Sequence, residues 1–299
     1  MKTVLIGAGM VADTHIAALA DLRDRLESCA IVGRSQDKLQ ALATRAKAAH
    51  GFDVKVYSSL EDCIENNAPD FAVLATPPDA RQDYVAALCA AGVHVLSEKP
   101  LERNLRAAQG IVENCSEAGV KLGVMLQHRM REDDALLRAH LDSDGLGQVT
   151  HLDIRVPWWR DQSYYAAPGR GTYGRDGGGV MISQAIHTLD LALSFAGPLE
   201  AVQAMMTTTP SHQMEAEDWA SASLRVRSGA VANLCATTAA FPGGSETISV
   251  YGTRGAAHLR PGQLELVGKD GQTTAHGAAS GSGGGAAPKA LTHECHRAD

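Results

Sequence analysis

The sequence lacks the features of secreted, membrane-spanning and nucleic-acid-binding proteins. Its 27 basic and 34 acidic residues give a net charge of -7, and no run of like charge offers a patch for nucleic acid or an anionic bilayer. No stretch approaches the roughly 20 consecutive apolar residues that span a membrane. Met1 leads directly into the apolar run Thr3–Ala8 without the basic region or cleavage site of a secretory signal. We therefore expect a cytoplasmic protein with a small-molecule substrate and neither nucleic-acid nor membrane partners.

Cysteine is scarce and shows no pairing pattern. The six cysteines form no Cys-x-x-Cys pair, and they stand at Cys29, Cys63, Cys89, Cys115, Cys235 and Cys295. This pattern favours reduced, mostly buried thiols over a disulfide framework. The segment His293–His296 has metal-binding residue types, but two histidines three positions apart without further matched ligands are weak support for zinc. We expect no metal.

The first 125 residues alternate short apolar runs with stretches of helical period, which is typical of βαβ units around a parallel sheet. The predicted strands are Thr3–Ala8, Cys29–Arg34, Val54–Tyr57, Phe71–Thr76, His94–Glu98 and Lys121–Leu126. The predicted helices are Met10–Leu26, Gln36–His50, Leu60–Asn66, Ala80–Ala91 and Leu105–Ala118. Gly51, Gly92 and Gly119 follow three of these helices, where left-handed caps are expected. The sequence therefore predicts a Rossmann-type, doubly wound domain over residues 1–125.

The pattern of predicted helices and strands changes in residues 126–275. One predicted helix, Val180–Ala196, is followed by strand-like runs without intervening helices, which indicates an α+β domain with a large, mostly antiparallel sheet. These runs are Leu199–Thr208, Trp219–Arg227, Ala230–Ala240, Glu246–Tyr251, Ala256–Leu259 and Gln263–Val267. Residues 276–299 begin with a stretch of mostly Gly, Ala and Ser, which buries too little surface to order itself. We expect a flexible tail there.

A glycine motif joins the first predicted strand to the first predicted helix. Gly7 suits a tight turn, Gly9 lets the backbone approach a phosphate, and Ala12 lets helix and strand pack closely. Met10 and Val11 lie between them, at the positive end of the helix dipole. The motif predicts a dinucleotide pyrophosphate site, with a plain glycine turn as the alternative.

The second strand ends without the carboxylate that usually binds the ribose of NAD. Arg34, Ser35 and Lys38 stand there instead, and a guanidinium, a hydroxyl and an ammonium suit the 2′-phosphate of NADP. The alternative is that these are solvated residues at a helix start. We expect NADP to be preferred over NAD.

Two further motifs close predicted strands at the carboxyl edge of the sheet, where ligands of such sheets bind. Thr76 and Pro77 follow the fourth strand and offer a stiff segment for coenzyme contact, although a simple turn explains them equally well. Glu98 and Lys99 end the fifth strand, followed by Pro100. Partial burial and a nearby cation would lower the pKa of such a lysine and let it exchange a hydroxyl proton. Taken in isolation, a surface lysine is the simpler interpretation.

Together the motifs resemble the glucose-fructose oxidoreductase / inositol dehydrogenase (Gfo/Idh/MocA) family. The matching segments are Gly7–Ala12, Ala75–Pro78, Ala91–Pro100, Gly177–Gly179, His187 and Asp190. The resemblance implies a catalytic Lys99, a His187 close to it across the domain cleft, and hydride transfer at a carbon that bears a hydroxyl or carbonyl. It also implies homo-oligomer contacts through the second-domain sheet. A further helix and strand usually follow in the family, so the tail is expected to be truncated.

Several residues of the second domain are candidates for substrate binding. The resemblance implies that Ser183 stands where the family commonly has Asp or Asn, which shifts proton relay towards Lys99 and His187. Helical spacing places Ser183, His187 and Asp190 on one face, where the carboxylate would orient the imidazole; a buried structural histidine is the alternative. The remaining polar and aromatic candidates are Gln127, His128, Arg129, Trp158, Trp159, Arg160, Tyr164 and Tyr165.

These observations predict an NAD(P)-dependent dehydrogenase or reductase that acts on a sugar, a polyol or a related cyclic alcohol. The aromatic and guanidinium groups suit a sugar ring or a carboxylated ring. A catalytically weak, dinucleotide-sensing or regulatory protein on the same fold is the alternative, because a fold alone does not guarantee catalysis. Retention of Lys99 and His187 favours the enzyme, whereas Ser183 favours the regulatory protein.

Overall fold

The computed structural model of the chain describes residues 1–278, which divide after Met125 into two compact units. The first unit contains a six-stranded parallel sheet in the order β3-β2-β1-β4-β5-β6. Its strands are β1 Lys2–Ile6, β2 Ser28–Val32, β3 Lys55–Tyr57, β4 Phe71–Leu74, β5 His94–Glu98 and β6 Leu122–Met125. Its helices are α1 Ala12–Asp21, α2 Gln36–His50, α3 Leu60–Asn67, α4 Arg81–Ala90 and α5 Leu105–Glu117. The order confirms the predicted Rossmann-type sheet, with its reversal point between β1 and β4.

Successive side chains of β1 pack into hydrophobic cores on opposite faces of the sheet, which explains why this strand is a continuous apolar run. Val4 and Ile6 pack with residues of α3, α4 and α5 on one face of the sheet. Leu5 packs with residues of α1 and α2 on the other face. All three side chains are fully buried. Helices on both faces leave the ends of the strands as the accessible place for a ligand.

The predicted helix ends are correct at three glycines and wrong in the first helix. Gly51, Gly92 and Gly119 adopt φ values of 62°, 69° and 69°, as left-handed caps require. The helix predicted over Met10–Leu26 is shorter in the structure, where α1 is followed by a 3₁₀ turn at Arg23–Arg25. No residue of that turn is buried, so packing does not hold it in the helix.

The second unit contains an eight-stranded sheet in the order β14-β13-β12-β11-β7-β10-β9-β8. Its strands are β7 Val149–Pro157, β8 Leu199–Thr207, β9 Trp219–Val226, β10 Val231–Thr237, β11 Thr247–Gly252, β12 Gly255–Arg260, β13 Gln263–Gly268 and β14 Thr273–Gly277. Its helices are α6 Glu132–Asp142, α7 Tyr173–Asp176, α8 Val180–Ser183 and α9 Ile186–Ala196. Only the β7–β10 pair is parallel within this described sheet, which confirms the mostly antiparallel prediction.

Four elements of the second unit are missing from the prediction, namely β7, α6, the short α7 and β14. The central strand β7 buries Leu152 and Ile154 between charged, outward-facing residues, and helix α6 buries Leu137. Strand β14 is polar and exposed, and backbone pairing with β13 holds it. It extends to Gly277, so the predicted tail does not begin at residue 276. The rest of that tail, with Cys295 and the His293–His296 segment, lies outside the described residues.

The helix predicted over Val180–Ala196 is bent in the structure. Gln184 and Ala185 separate α8 from α9, and the two helical segments Tyr173–Ser183 and Ile186–Ala196 meet at 54°. Among residues 1–278, no single helix is long and apolar enough to cross a membrane, and only these two segments together reach that length and composition. The bend corrects the prediction that Ser183 shares one helical face with the residues of α9.

Four cysteines of the described chain are buried and free, namely Cys29, Cys63, Cys89 and Cys115, whereas Cys235 is exposed on β10. Burial raises the pKa of Cys29 to about 12 and that of Cys63 to about 11. Thiols in such surroundings are unreactive near neutral pH because the thiolate is the reactive form. The structure thus agrees with the interpretation of these four thiols as core residues.

Candidate functional site

The glycine motif forms a cradle between β1 and α1. Gly7 adopts a φ of +111°, and its N–H donates to the carbonyl of Val32 at 2.8 Å. A Cβ on Gly7 would lie 2.9 Å from the carbonyl oxygen of Ala75, so only glycine fits there. The Gly9 carbonyl accepts the N–H of Ala12, the first residue of α1. The cradle therefore fits a pyrophosphate at a helix N-terminus.

The segment after β4 borders the same cradle. A Cβ on Gly7 would also approach the backbone nitrogen of Thr76 to 3.3 Å. The Thr76 hydroxyl oxygen is buried and has no hydrogen-bond partner among the described residues. Pro77 precedes a short 3₁₀ turn at Pro78–Ala80. An unsatisfied buried hydroxyl is uncommon, and beside a phosphate cradle it suits the predicted coenzyme contact.

A cavity of about 280 Å³ lies at the ends of β2 and β3. Arg34 lines it, together with the hydroxyls of Ser58 and Ser59 and the carboxylates of Glu61 and Asp83. Ser35 and Lys38 are exposed nearby on the chain but do not line it. The prediction missed the two carboxylates. Glu61 lies in the first turn of α3, whose cap residue is Ser59; the capping pattern predicts this helix start but not a carboxylate in the cavity.

Arg81 is a buried cation that the sequence analysis missed. Its side chain is 2% exposed and donates to the carbonyl of Thr76 at 3.1 and 2.8 Å. It also donates to the carbonyls of Glu98 and Pro100, which flank Lys99. Burial lowers the pKa of Arg81 to about 10, so it stays charged at neutral pH. The guanidinium ties the segment after β4 to the one after β5.

The carboxylate of Glu98, predicted as a coenzyme contact, is occupied within the first domain. One oxygen lies 2.8 Å from Nε2 of the buried His15 on α1, and the other accepts the N–H of Lys99 at 3.2 Å. Both Glu98 and His15 are buried. Glu98 therefore shapes the backbone at Lys99 and connects it to the helix that follows the glycine cradle.

In the second unit, His187 stacks on another histidine. His187 lies in the first turn of α9, is 5% exposed, and has its ring centroid 4.8 Å from that of His128. Nε2 of His128 lies 3.9 Å from Oε1 of the buried Glu246. The other oxygen of Glu246 accepts Nε1–H of Trp158 at 3.1 Å. His187 thus packs against a buried array of titratable groups.

Asp190 does not act as predicted. Its two carboxylate oxygens accept parallel hydrogen bonds from Nε and Nη2 of Arg129, both at 2.6 Å. This pairing raises the pKa of Arg129 and occupies the guanidinium edge that was expected to bind substrate. Helical spacing predicted His187 as the partner of Asp190, but a fork-to-fork ion pair is the stronger interaction. The pair corrects the prediction for Asp190, whereas substrate binding by Arg129 stays a prediction.

Arg160 is the centre of the predicted aromatic segment. It is 7% exposed, with its guanidinium carbon 5.1 Å from the ring centroid of Trp158 and 5.7 Å from that of Tyr164. Trp159 instead packs edge-on against Phe241 at 5.4 Å. Burial lowers the pKa of Arg160. The structure places Arg160, more than Trp159, among groups suited to bind a polar ligand.

Two family models match the chain and together cover most of it. Residues 1–126 match "Oxidoreductase family, NAD-binding Rossmann fold", and residues 135–258 match "GFO/IDH/MocA C-terminal domain". The WlbA dehydrogenase from Bordetella pertussis, solved in complex with NADH and UDP-GlcNAcA, is 33% identical with a TM-score of 0.80, over 87% of this chain and 73% of that chain.

The chain belongs to the Gfo/Idh/MocA family.

Two curated Gfo/Idh/MocA relatives are also similar to this chain. Inositol 2-dehydrogenase of Rhizobium meliloti (strain 1021) is 26% identical over 277 residues, which are 90% of this chain and 79% of the relative. D-glucoside 3-dehydrogenase of Escherichia coli (strain K12) is 27% identical over 200 residues, 66% of this chain and 54% of the relative. The match thus spans about half the length of the second relative. The chain is an oxidoreductase of this family with an NAD-binding Rossmann domain.

The Gfo/Idh/MocA second domain also holds an unusual carboxyl group. Asp134 on α6 is 3% exposed, and neither of its oxygens has a hydrogen-bond partner within the described chain. Burial, reinforced by the neighbouring Asp133, raises the pKa of Asp134 to about 8. In the unfolded chain an aspartate has a pKa of about 3.9. Asp134 therefore binds its proton more tightly in the folded state.

We expect Asp134→Asn to stabilise the protein increasingly as pH rises from about 4 towards 8, because Asp134 is ionised in the unfolded chain and must take up a proton on folding in this range. The gain should grow by up to about 1.4 kcal/mol per pH unit and then level off. Calorimetric unfolding at pH 5 and pH 8 measures it, with Asp142→Asn on the exposed end of the same helix as control. A gain that is equal at both pH values contradicts the assignment.

Proposed function

We propose that the protein is an NAD(P)-dependent dehydrogenase or reductase that transfers hydride between nicotinamide and a hydroxyl- or carbonyl-bearing carbon of a sugar, polyol or related cyclic alcohol. The observation that carries the proposal lies in one parallel sheet. The Gly7 cradle follows β1, and the clamped Lys99 follows β5, so both stand at the carboxyl edge. The names of the two curated relatives support this class of substrate.

Oxidation of an alcohol removes a hydride from carbon and a proton from oxygen. The bound nicotinamide supplies or accepts the hydride, so the protein must handle the proton. We assign this step to Lys99. Arg81 donates to the carbonyls of the residues before and after Lys99, and the Glu98 carboxylate accepts the Lys99 N–H, so the backbone there is fixed. We propose that the Lys99 side chain extends from this fixed backbone to the reacting oxygen, as general acid–base catalysis requires.

His187 is the second proposed proton-transfer residue. Its contact with His128 keeps the imidazole plane in one orientation, which a group that acts on one substrate oxygen needs. Ser183 donates and accepts hydrogen bonds but cannot carry a carboxylate charge. We therefore propose that Ser183 binds a substrate hydroxyl while Lys99 and His187 carry the proton.

We also propose that NADP is preferred over NAD. Arg34 lines the cavity at the end of β2, and a hydrogen bond between charged groups contributes about 1.5–3 kcal/mol, which is roughly 10-fold or more in affinity. NADPH should therefore bind at least about 10-fold more tightly than NADH, and Arg34→Ala should remove that difference. Fluorescence titration of both reduced coenzymes measures it.

The matched control for this titration is Arg45→Ala, because Arg45 lies on the same helix as Lys38 and binds the exposed Asp13.

Two carboxylates of the same cavity, Glu61 and Asp83, favour NAD over NADP, because they accept hydrogen bonds from ribose hydroxyls and repel a phosphate. Equal affinity of the unmodified protein for NADPH and NADH would refute the proposed role of Arg34.

A dinucleotide-sensing or regulatory role is the second candidate, and Ser183 favours it. This residue lies on the short α8, separated by the bend from His187 on α9. An absorbance assay of nicotinamide reduction over a panel of sugars and diols separates the two functions. Turnover supports the enzyme, and coenzyme binding without turnover supports the regulator.

We further propose a cytoplasmic homo-oligomer that associates through the sheet of the second domain. Helix α9 packs on one face of this sheet against β7. The edge strand β8 is exposed along nearly all of its length, including Met205 and Met206 at 67% and 60%. Exposed apolar side chains on a sheet edge favour association. Sedimentation of the full chain measures the oligomeric state.

A further inference from the structure

His15 is a buried histidine in the first turn of α1, the helix that follows the glycine cradle. Its side chain is 3% exposed, and its backbone N–H donates to the carbonyl of Val11 at 3.2 Å. Its ring nitrogen Nε2 lies 2.8 Å from Oε1 of Glu98, at the end of β5. The two residues are 83 positions apart, and β4 lies between β1 and β5 in the sheet. The contact therefore joins the cradle helix to a strand that is not adjacent to β1.

The carboxylate of Glu98 needs hydrogen-bond donors because it is buried. Glu98 is 6% exposed, so protein groups must replace water at its oxygens. The charge of Arg81 interacts favourably with that of Glu98, which favours the ionised carboxylate. An ionised carboxylate only accepts hydrogen bonds, so Nε2–H of His15 serves one oxygen and the Lys99 N–H serves the other. One side chain thus links His15 to the backbone of Lys99.

The segment around Lys99 is attached at two places in the first domain. Arg81 donates to the carbonyls of Glu98 and Pro100 and joins the segment to the end of β4. His15 acts on a different group, the carboxylate that accepts the Lys99 N–H, and joins the segment to α1. A change at His15 therefore leaves the three carbonyls that Arg81 binds untouched. The second attachment connects the proposed proton-transfer residue to the helix that borders the pyrophosphate cradle.

We propose that His15 is a positioning residue, which holds the Glu98 carboxylate and thereby keeps the Lys99 backbone in place relative to the coenzyme cradle. A displacement of about 1 Å at a reacting group lowers a rate by about 10²-fold, so loss of this contact should affect the rate more than binding. The effect on turnover rests on the proposed function. The link between His15 and the Lys99 backbone does not.

Two substitutions at His15 separate the hydrogen bond from packing. His15→Leu keeps an apolar side chain and removes the donor, whereas His15→Gln supplies an amide N–H near the position of Nε2. We expect His15→Leu to lower kcat by about 10²-fold, while KM and the Kd of the coenzyme stay within about threefold. His15→Gln should recover most of the lost kcat. Steady-state kinetics and a fluorescence titration of the coenzyme measure these quantities.

Leu42→Ala is the control for lost stability. Leu42 is fully buried in the core that α1 and α2 share, so its truncation leaves a cavity there without removing a hydrogen bond near Lys99. At a temperature where all variants are folded, Leu42→Ala should keep the kcat of the unmodified protein. A kcat loss in Leu42→Ala as large as that in His15→Leu would overturn the positioning role.

Amide hydrogen exchange of the coenzyme-free chain, measured by NMR, tests the link without turnover. The Lys99 amide donates to the Glu98 carboxylate, so its exchange should be about 10-fold faster or more in His15→Leu and slow again in His15→Gln. In Leu42→Ala, any faster exchange should be spread over the domain. Unchanged exchange at Lys99 in His15→Leu, or a kcat loss that His15→Gln does not recover, overturns the proposal. Faster exchange at Lys99 in a chain that turns over no polyol supports the contact and refutes the dehydrogenase.

Discussion

Lys99→Met is expected to lower kcat by about 10²–10⁴-fold, the usual contribution of general acid–base catalysis, while coenzyme affinity stays nearly unchanged. Methionine keeps the length of the side chain and removes the group that exchanges the proton. The pyrophosphate cradle is built by Gly7 and its neighbours between β1 and α1, which the substitution leaves unchanged. Steady-state kinetics and a coenzyme titration of the same variant measure the two effects separately.

His187→Ala should give a similar loss of kcat if both side chains act on one substrate oxygen. Residues that act as a unit are strongly non-additive, so the double variant should be scarcely slower than either single variant. His140→Ala, a change on helix α6 away from the proposed machinery, is the control. A kcat of Lys99→Met within a few-fold of that of the unmodified protein would mean that a residue other than Lys99 transfers the proton.

Arg81→Met is expected to destabilise the first domain and slow turnover, because it leaves three buried or part-buried carbonyls without this donor. These carbonyls belong to Thr76, Glu98 and Pro100. A hydrogen bond to a charged group contributes about 1.5–3 kcal/mol, so the free energy of unfolding should fall by about 3 kcal/mol or more. Denaturant unfolding measures this change, and kcat is measured at a temperature where the variant is folded.

Arg81→Lys separates charge from geometry, since an ammonium cannot donate in the fixed fork of a guanidinium. We expect it to recover part of the stability and little of the kcat. Arg45→Met, which removes an exposed arginine of the same domain, should leave both quantities close to those of the unmodified protein. An Arg81→Met protein with unchanged stability and kcat would contradict the positioning role.

Local sequence signals predict much of the first domain. Strand β5 and helix α2 have the predicted ends because each apolar pattern is bounded by residues with strong backbone preferences. Gly92 precedes β5 closely, and Gly51 caps α2 with a positive φ. The glycine spacing of the coenzyme cradle is also visible in the sequence, although the carbonyl that excludes a side chain at Gly7 belongs to Ala75, after β4. The ends of β5 and α2 are predictable since the residues that determine them are adjacent along the chain.

The parts of the site that escaped prediction depend on contacts between distant residues. Arg81 resembles a solvated helix residue until the ends of β4 and β5 bring their carbonyls around it. Asp190 binds Arg129, which is 61 residues away, although helical spacing favoured a nearer partner. No glycine or proline stands at position 184 to signal the bend in the sequence. Periodicity describes single elements, whereas these pairings arise from the way elements pack.

Deuterium transfer tests the central claim most directly. The full chain is incubated with NADP⁺ or NAD⁺ and with carbon-deuterated myo-inositol, methyl glucoside or D-glucuronate, and the reduced coenzyme is analysed by mass spectrometry. A Gfo/Idh/MocA dehydrogenase that uses Lys99 should place deuterium on the nicotinamide ring, and Lys99→Met should abolish this transfer while it still binds coenzyme. Bound coenzyme without deuterium transfer from any of these substrates, or equal transfer by Lys99→Met, would contradict the account.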